Sequence, residues 1–210
     1  MRRFLTGSVA VLALAIRAHA TNLVFDPGFE SANLGTFSTD LGDGAWYVSQ
    51  GNIQVLDAAD SDGAVPHSGS QFIYLGYGFL QNTISQTLST VVGQSYIVSF
   101  WAADNDPNSL IVNFGDQNLF TGMSPTGGIG AAGDYVNFMY TVTADSTFTD
   151  LTFTGQWLGI GDGDYGTILD DVSVTASGVP EPASLGATGL GLLMLWFLLR
   201  RPLKTPAPRG

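Results

Sequence analysis

Short runs in which apolar and polar residues alternate recur between residues 21 and 178, and clusters of Gly, Asp, Asn and Pro separate them. Successive side chains of a β-strand point to opposite faces of the sheet, so this alternation predicts strands with one buried face. No stretch in this range keeps the 3.6-residue period of an amphipathic helix. Seven strands are predicted clearly, over 71–75, 83–88, 94–102, 109–114, 135–143, 150–154 and 167–175, and three weakly, over 22–25, 45–48 and 53–56.

The alternation also assigns side chains to faces. Tyr96, Val98 and Phe100 fall on one side of their strand, and Trp101 falls on the other side. Strands with one apolar and one polar face are typical of antiparallel sandwiches in which each sheet buries one face. About ten such strands predict that residues 21–178 form an all-β domain, an antiparallel jelly-roll β-sandwich.

Charge is unevenly distributed along the 210 residues, whose formal net charge is −11. All seven Lys and Arg residues lie in the first 17 or the last 11 positions, and all 18 acidic residues lie between them. A domain that carries carboxylates and no cations repels phosphate groups. Nucleic acids, nucleotides and anionic lipids are therefore poor candidates as ligands of the middle of the chain.

The first 20 residues have the three parts of a secretory signal peptide. Arg2 and Arg3 form the positive start, a mostly apolar stretch follows, and Ala18 and Ala20 give the small-residue cleavage pattern. This predicts export across the inner membrane and cleavage before Thr21. The alternative is an uncleaved anchor helix, but the apolar stretch is short for a membrane span and contains polar residues.

A second targeting segment is predicted over residues 179–204. An apolar run over 183–199 has the minimum length of a transmembrane helix, and the prolines before it mark its start. The basic residues after it would stay in the cytoplasm, which leaves the acidic domain outside. The motif before the run and the basic cluster after it consist of Val179, Pro180, Glu181, Pro182, Arg200, Arg201 and Lys204, and residues 205–210 form a tail.

This order of a Val-Pro-Glu-Pro motif, a short apolar run containing Gly and a basic cluster resembles the PEP-CTERM sorting signal. The resemblance implies recognition by an exosortase-like processing enzyme in a Gram-negative bacterium that makes extracellular polysaccharide. It also implies anchoring at the inner membrane, followed by a location in the cell envelope, on the surface or in the extracellular matrix. The alternative is a plain single-pass anchor.

The chain contains no cysteine. Disulfides are therefore absent, although an exported domain would be in a space that permits them. A thiolate nucleophile, a cysteine-ligated metal site and an N-terminal lipoprotein anchor are excluded for the same reason.

Several segments of the domain, taken in order, resemble the galactose-binding-like jelly rolls, which include many carbohydrate-binding modules. The opening NLVFDPGFE resembles the start of these domains, Trp46 matches a tryptophan that follows it, and the closing ILDDVSV resembles their last strand. The resemblance extends over nearly all of residues 22–175 and implies this fold and a general binding role. The matching segments are 22–30, 67–71, 84–88, 93–100 and 168–174.

The same resemblance implies one structural Ca²⁺ between the first and last strands. Glu30 and Asp171 match the ligand positions, and Asp170 is their neighbour. An excess of carboxylates without cations independently favours a divalent ion, because calcium is bound by hard oxygen ligands. The alternative is that these side chains are solvated or accept hydrogen bonds from backbone amides.

Sugar binding is predicted from the aromatic residues. Sugar rings stack on aromatic side chains, and amides and carboxylates bind their hydroxyl groups. For any one aromatic residue the alternative is packing in the sandwich core, and Trp46 in particular could belong to the core. The candidate glycan-binding residues are Trp101, Trp157, Tyr165 and Tyr77.

Catalytic groups are scarce in the predicted mature domain, which has one histidine, His67, and one glutamate, Glu30. A Ser-His-Asp arrangement would have to use His67 with the adjacent Ser68, and we expect His67 instead to bond the backbone at the start of a strand. The domain is therefore predicted to be non-catalytic and to bind glycan or exopolysaccharide. The alternatives are a structural or adhesive envelope protein that binds no sugar, and a jelly-roll hydrolase.

Overall fold

Alternating buried and exposed residues form two stacked sheets in the computed structural model. The model describes residues 20–32, 37–38, 41, 44–59, 61, 63–76, 81–104, 106, 108–159 and 166–178. Every strand in these residues belongs to one compact unit that ends at Ser177.

The described residues contain eleven strands and one short 3₁₀ helix, Ala132–Asp134. The strands are β1 Phe37–Ser38, β2 Tyr47–Gln50, β3 Ile53–Asp57, β4 Gln71–Leu75, β5 Gln81–Ser89, β6 Ser95–Ala103, β7 Asn108–Phe114, β8 Gln117–Met123, β9 Val136–Thr143, β10 Phe148–Trp157 and β11 Thr167–Ala176.

Sheet I has six strands in the order β1-β3-β4-β11-β6-β9, and sheet II has five in the order β2-β5-β10-β7-β8. All neighbouring strands are antiparallel. The predicted all-β fold with two antiparallel sheets is confirmed. The predicted strand 71–75 has the bounds of β4, and the others that match are displaced or extended by a few residues.

The main core lies between the two sheets. Tyr96, Val98 and Phe100 are buried there, as the alternation in β6 predicts, whereas Trp101 faces away from this core. Trp46 also belongs to the core: its ring lies 5.4 Å from that of Phe29, and its Nε1 donates a hydrogen bond to a backbone carbonyl. Trp46 therefore has a packing role.

A second, smaller apolar cluster lies on the outer face of sheet I. Phe72, Tyr74 and Ile168 come from β4 and β11, and Ile129 and Tyr135 come from the segment that precedes β9. Loops thus cover part of the outer face of sheet I, and Trp101 packs against the edge of this cluster.

The strand directions define two ends of the sandwich. β6 runs from Ser95 to Ala103, so Gln94 and Asp104 lie at opposite ends, about 30 Å apart. β10 runs in the same direction, because its first residue, Phe148, pairs with the last residue of β5 near Gln94, and its last residue, Trp157, pairs with Asn108 near Asp104. We refer to these as the Gln94 end and the Asp104 end.

Two strands were missing from the sequence prediction, and one predicted strand was wrong. The edge strand β8 contains polar residues and Gly122, so its apolar pattern is weak, and β1 has only two residues. Residues 22–25 are not a strand, although Leu23 N donates to Val174 O at 2.8 Å. The side chains of Asn22 and Gln86 take most of the backbone bonds that a strand partner would make there.

Several predicted features lie outside the described residues. These are the signal peptide through Ala18, the Val-Pro-Glu-Pro motif, the apolar run 183–199, the basic cluster, Tyr77 and Tyr165. Ala20 is the first residue described. The residues that the structure describes include no helix with the length and apolar character of a membrane span.

Candidate functional site

Three carboxylates, Glu30, Asp170 and Asp171, surround the same point beside Gly28. A Cβ atom added at Gly28 would lie 3.5 Å from Asp170 Oδ1, 3.8 Å from Asp171 Oδ1 and 3.7 Å from Glu30 Cγ. We call these three residues the carboxylate cluster. The opening segment and β11 thus bring together the side chains that the family resemblance matches to calcium ligands.

Asp170 is fully buried and holds the segment that enters β4. Its Oδ2 accepts hydrogen bonds from the backbone N–H groups of His67, at 2.9 Å, and Ser68, at 3.1 Å. The pKa of Asp170 is raised to about 7, mainly because the carboxyl is buried; the nearby charge of Asp171 contributes to the rise, and the backbone hydrogen bonds oppose it.

Asp171 and Glu30 hold the same segment from two other sides. Asp171 Oδ2 lies 2.6 Å from His67 Nδ1, and its Oδ1 accepts a hydrogen bond of 2.7 Å from the Ser68 hydroxyl. Glu30 Oε1 accepts the backbone N–H groups of Ser70 and Gln71 at 2.7 and 3.1 Å. The carboxylates therefore act as acceptors that join residues 67–71 to the opening segment and to β11.

Strained backbone accompanies this arrangement. Asp171 has a φ of 49°, and the pairing of β11 with β6 shifts its register between Asp170 and Ser173. Such a bulge turns two consecutive acidic side chains toward the same neighbours. Gly69 has a φ of 62° and lies against Glu30, so that an added Cβ would overlap Glu30 Oε1.

The carboxylates of the cluster accept hydrogen bonds from backbone N–H groups and from the Ser68 hydroxyl. This is the arrangement expected if these side chains serve as hydrogen-bond acceptors and not as calcium ligands. Among the described residues, no group of three or more His, Asp or Glu side chains is placed to hold a metal ion. A Ca²⁺ ion at Glu30 and Asp171 would therefore compete with protein donors. Calcium binding stays a prediction from the sequence.

Trp101 lies beside the cluster and is covered on one face by His67. The two rings are stacked with centroids 3.9 Å apart and an interplanar angle of 18°, and Tyr135 packs edge-on against His67 at 5.3 Å. The expectation that His67 bonds the backbone through its side chain is wrong: the ring contacts Asp171 and Trp101. His67 is correctly placed just before a strand, β4.

Tyr135 fixes the loops above this stack. Its hydroxyl donates a hydrogen bond of 2.8 Å to Val65 O. Burial raises the pKa of Tyr135 well above its usual value, and the negative charge of Asp170 adds to the effect. Tyr135 therefore stays neutral and holds the loop at Val65 over the outer face of sheet I.

A buried aspartate organises the Asp104 end. Asp104 follows β6 and is fully buried, and burial raises its pKa to about 6. Its carboxylate accepts hydrogen bonds from donors on several segments, namely the Asp106 N–H at 3.0 Å, Asn108 Nδ2 at 3.0 Å, Ser124 Oγ at 2.6 Å and Thr167 Oγ1 at 3.0 Å. These contacts join the ends of β6, β7, β8 and β11.

Trp157 is the last residue of β10 and pairs with Asn108, a partner of Asp104. Trp101 and Trp157 therefore lie at the same end of the sandwich but in different sheets, and both are half-buried. Asp104 was not identified from the sequence. The signal that could have revealed it is the Asp-x-Asp-x-Asn spacing between two apolar strands, which is typical of side chains that cap a turn.

A groove of about 460 Å³ lies at the side of the sandwich, beside the last residues of β5, which have no partner in β2. We call it the Phe25 groove. It is lined by Leu23, Phe25, Gly44, Ala45, Gln86, Thr87, Leu88 and Ser89. Phe25 is 62% exposed, and Tyr47, which is 68% exposed, follows Ala45 by two residues and pairs with Ser85 of β5.

Phe25 is held in place through its backbone. Gln86 Oε1 accepts the Phe25 N–H at 2.8 Å, and Gln86 Nε2 donates to the Phe25 carbonyl at 2.9 Å. This two-point contact fixes the backbone of Phe25 while its ring stays exposed, so the backbone need not be ordered when a ligand stacks on the ring. No local pattern indicates this role of Phe25, because Gln86 is 61 residues away along the chain.

Among the described residues, His67, Ser68 and Asp171 lie close together, but they are not arranged as a catalytic triad. His67 lies next to Asp170 and Asp171, yet the Ser68 hydroxyl donates to Asp171 and not to the His67 ring. A serine nucleophile needs its proton directed at the histidine base. The contact between His67 and Asp171 instead links the segment before β4 to β11, and the His67 ring stacks on Trp101.

Two antiparallel sheets in this order define a β-sandwich of the jelly-roll type. The chain is similar to the TmCBM61 structure solved in complex with β-1,4-galactotriose, with 19% identity over 75% of this chain and 100% of that one and a TM-score of 0.54. This likeness confirms the fold that the resemblance to galactose-binding-like domains predicted.

Two other solved structures have lower TM-scores. The K2 cleaved adhesin domain of Lys-gingipain is 18% identical over 73% of this chain and 98% of that one, with a TM-score of 0.45. The CBM22-1 xylan-binding domain of Paenibacillus barcinonensis Xyn10C is 13% identical over 76% and 97%, with a TM-score of 0.43. No family model and no curated protein matches the chain.

Proposed function

We propose that this protein is a non-catalytic glycan-binding protein of the bacterial envelope or its extracellular matrix. It would be exported by its N-terminal signal, anchored by residues 183–199 in the inner membrane and processed there by an exosortase-like enzyme. The fold is one that carbohydrate-binding modules share, and the predicted targeting segments flank the domain on both sides.

The observation that carries the glycan proposal is the Phe25 groove, whose lining includes the exposed Phe25, with the exposed Tyr47 two residues after the lining residue Ala45. Phe25 and Tyr47 offer apolar surfaces for sugar rings, and Thr87 and Ser89 line the groove with hydroxyl groups. The domain has no Lys or Arg, so it has no strong partner for a uronate or a sulfate group. The ligand would therefore be a neutral polysaccharide.

A glycan array of neutral and uronate-containing polysaccharides tests this function. Phe25→Ala and Tyr47→Ala should each lower the affinity for a neutral glycan by about tenfold, since one stacking contact is worth about 1 to 1.5 kcal/mol. The matched control is Met139→Ala, which removes another exposed side chain from the edge strand β9. Absence of binding to every polysaccharide would favour the structural or adhesive alternative.

The sequence-predicted pair is tested on the same array. Trp101→Ala and Trp157→Ala change the Asp104 end and leave the Phe25 groove intact. A loss of binding in these variants alone, with unchanged thermal stability, would place the sugar at the Asp104 end instead of the groove. Hydrolysis of a bound glycan would contradict the non-catalytic role and would direct attention to His67 and its carboxylate neighbours.

The same proposal keeps the structural Ca²⁺ that the family resemblance implies. Glu30 and Asp171 would hold the ion, which would link the opening segment to β11. The observation that supports it is that the side chains of Glu30, Asp170 and Asp171 meet beside Gly28.

A further inference from the structure

Three large apolar side chains project from the Gln94 end of the sandwich. Val91 and Val92, in the turn between β5 and β6, are 64% and 59% exposed, and Phe148, the first residue of β10, is 67% exposed. Backbone hydrogen bonds of 2.8 to 3.0 Å join residues 90–94 to residues 144–147, so the two turns lie side by side. We call Val91, Val92 and Phe148 the apolar tip.

The chain leaves the domain at the same end. Ser177 N donates to Ser95 O at 2.8 Å, and Gln94 Nε2 donates to Ser177 O at 2.9 Å. Five residues after Gly178 the apolar run 183–199 begins, and a fully extended chain of that length spans at most about 18 Å. The Gln94 end is therefore the end of the sandwich that is tied most closely to the predicted membrane anchor.

We propose that the apolar tip lies in the headgroup region of the lipid bilayer that holds this anchor. The inference rests on the anchoring part of the proposed function. Exposed apolar side chains gain free energy when they leave water for the bilayer interface. Three residues alone would bind weakly, but the short tether keeps them at the surface at a high effective concentration.

Charge identifies the kind of lipid surface. Phe148 lines a depression of about 330 Å³ together with Asp116, Asp145 and Asp150, and no Lys or Arg occurs in the domain. Anionic headgroups would be repelled by these carboxylates. The partner is therefore a zwitterionic bilayer surface, and the Asp104 end, about 30 Å away, would point away from it.

Single spin labels on the full-length chain test this placement. Because the chain has no cysteine, Val92→Cys and Phe148→Cys each create one labelling site at the tip, and Thr126→Cys creates a control site at the Asp104 end. All three positions are exposed, so the labels do not disturb the core. The labelled chains are reconstituted in phosphatidylcholine vesicles, and their accessibility to oxygen and to a water-soluble nickel chelate is measured.

We expect labels 92 and 148 to have a ratio of oxygen accessibility to nickel-chelate accessibility that is several-fold higher than that of label 126. In vesicles that contain anionic lipid, this difference between the tip labels and label 126 should be smaller. If labels 92 and 148 have the same ratio as label 126 although the chain floats with the vesicles, the tip does not contact the bilayer. That result would overturn the tip contact but not the membrane anchor. Low accessibility to both reagents would mean that protein covers the tip, which also overturns the proposal. A chain that does not float would overturn both the anchor and the contact.

Discussion

Two buried carboxylates, Asp104 and Asp170, each accept several hydrogen bonds and so organise the segments around them. Asp104 accepts hydrogen bonds from β7 and β11, and Asp170 accepts them from backbone N–H groups of the segment before β4. Both carboxylates are buried, and their pKa values are raised because water is excluded. A buried group of this kind is stable only when its partners are in place, so each one makes the fold sensitive to its protonation.

Asp104 should make the domain more stable in mild acid than in base. Burial raises its pKa from 3.8 to about 6, so between these values the folded chain binds more protons than the unfolded chain. The contribution of Asp104 to the free energy of unfolding then rises as the pH falls from about 7 toward 4, by an amount on the order of 2 to 3 kcal/mol. We expect Asp104→Asn to lose most of this rise.

The measurement is the melting temperature of the native chain and of Asp104→Asn from pH 8 to pH 4, in a nonionic detergent. Asp116→Asn is the control, because Asp116 is exposed. Equal pH dependence of the native chain and Asp104→Asn would contradict the role of Asp104.

At the scale of elements, alternation predicted nine of the eleven described strands, because the two-residue period is a local property. In β6 the predicted inward residues Tyr96, Val98 and Phe100 are the ones that pack in the core. The edge strand β8 was missed because none of its side chains is fully buried, so its sequence has only a weak apolar pattern. The site was harder to predict: His67 and Asp171 lie 104 residues apart, and no local pattern records that contact.

Gly155 allows β10 of sheet II to approach β4 of sheet I. A Cβ added there would lie 2.5 Å from Leu75 Cβ and 2.9 Å from Gly76 N. We expect Gly155→Ala to lower the free energy of unfolding by about 1 to 3 kcal/mol through overpacking. Gly133→Ala is the control because nothing lies within 4 Å of its added Cβ. Chemical denaturation should separate the two variants, and equal midpoints would show that the sheets can shift apart there.

The carboxylate cluster joins two elements, the opening segment and β11, and is the place where calcium would act. Thermal unfolding in millimolar calcium and in EDTA should differ by at least about 3 °C, which corresponds to about 1 kcal/mol. Asp171→Asn should remove the difference. The control Asp150→Asn, on the outer face of sheet II, should keep it. Coincident curves for the native chain would mean that the hydrogen bonds alone hold the cluster.

For the molecule as a whole, the dominant electrostatic term is repulsion among its own carboxylates. Residues 21–178 contain 16 Asp and one Glu and neither Lys nor Arg, and folding brings these charges closer together. Salt shortens the screening length from about 30 Å at 0.01 M to about 3 Å at 1 M, so it should weaken the repulsion more in the folded state than in the expanded chain.

We therefore expect the melting temperature at pH 8, in EDTA, to rise by about 3 °C or more between 10 mM and 500 mM NaCl. The double variant Asp116→Asn/Asp145→Asn removes two exposed charges that line one depression, so it should melt higher at low salt and respond less to added salt. Thr126→Asn, which changes an exposed neutral residue at the Asp104 end, should respond like the native chain. A melting temperature that falls with salt would mean that favourable charge contacts outweigh the repulsion. Among the described residues, the only basic side chain that could form such a contact is His67, which lies against Asp171.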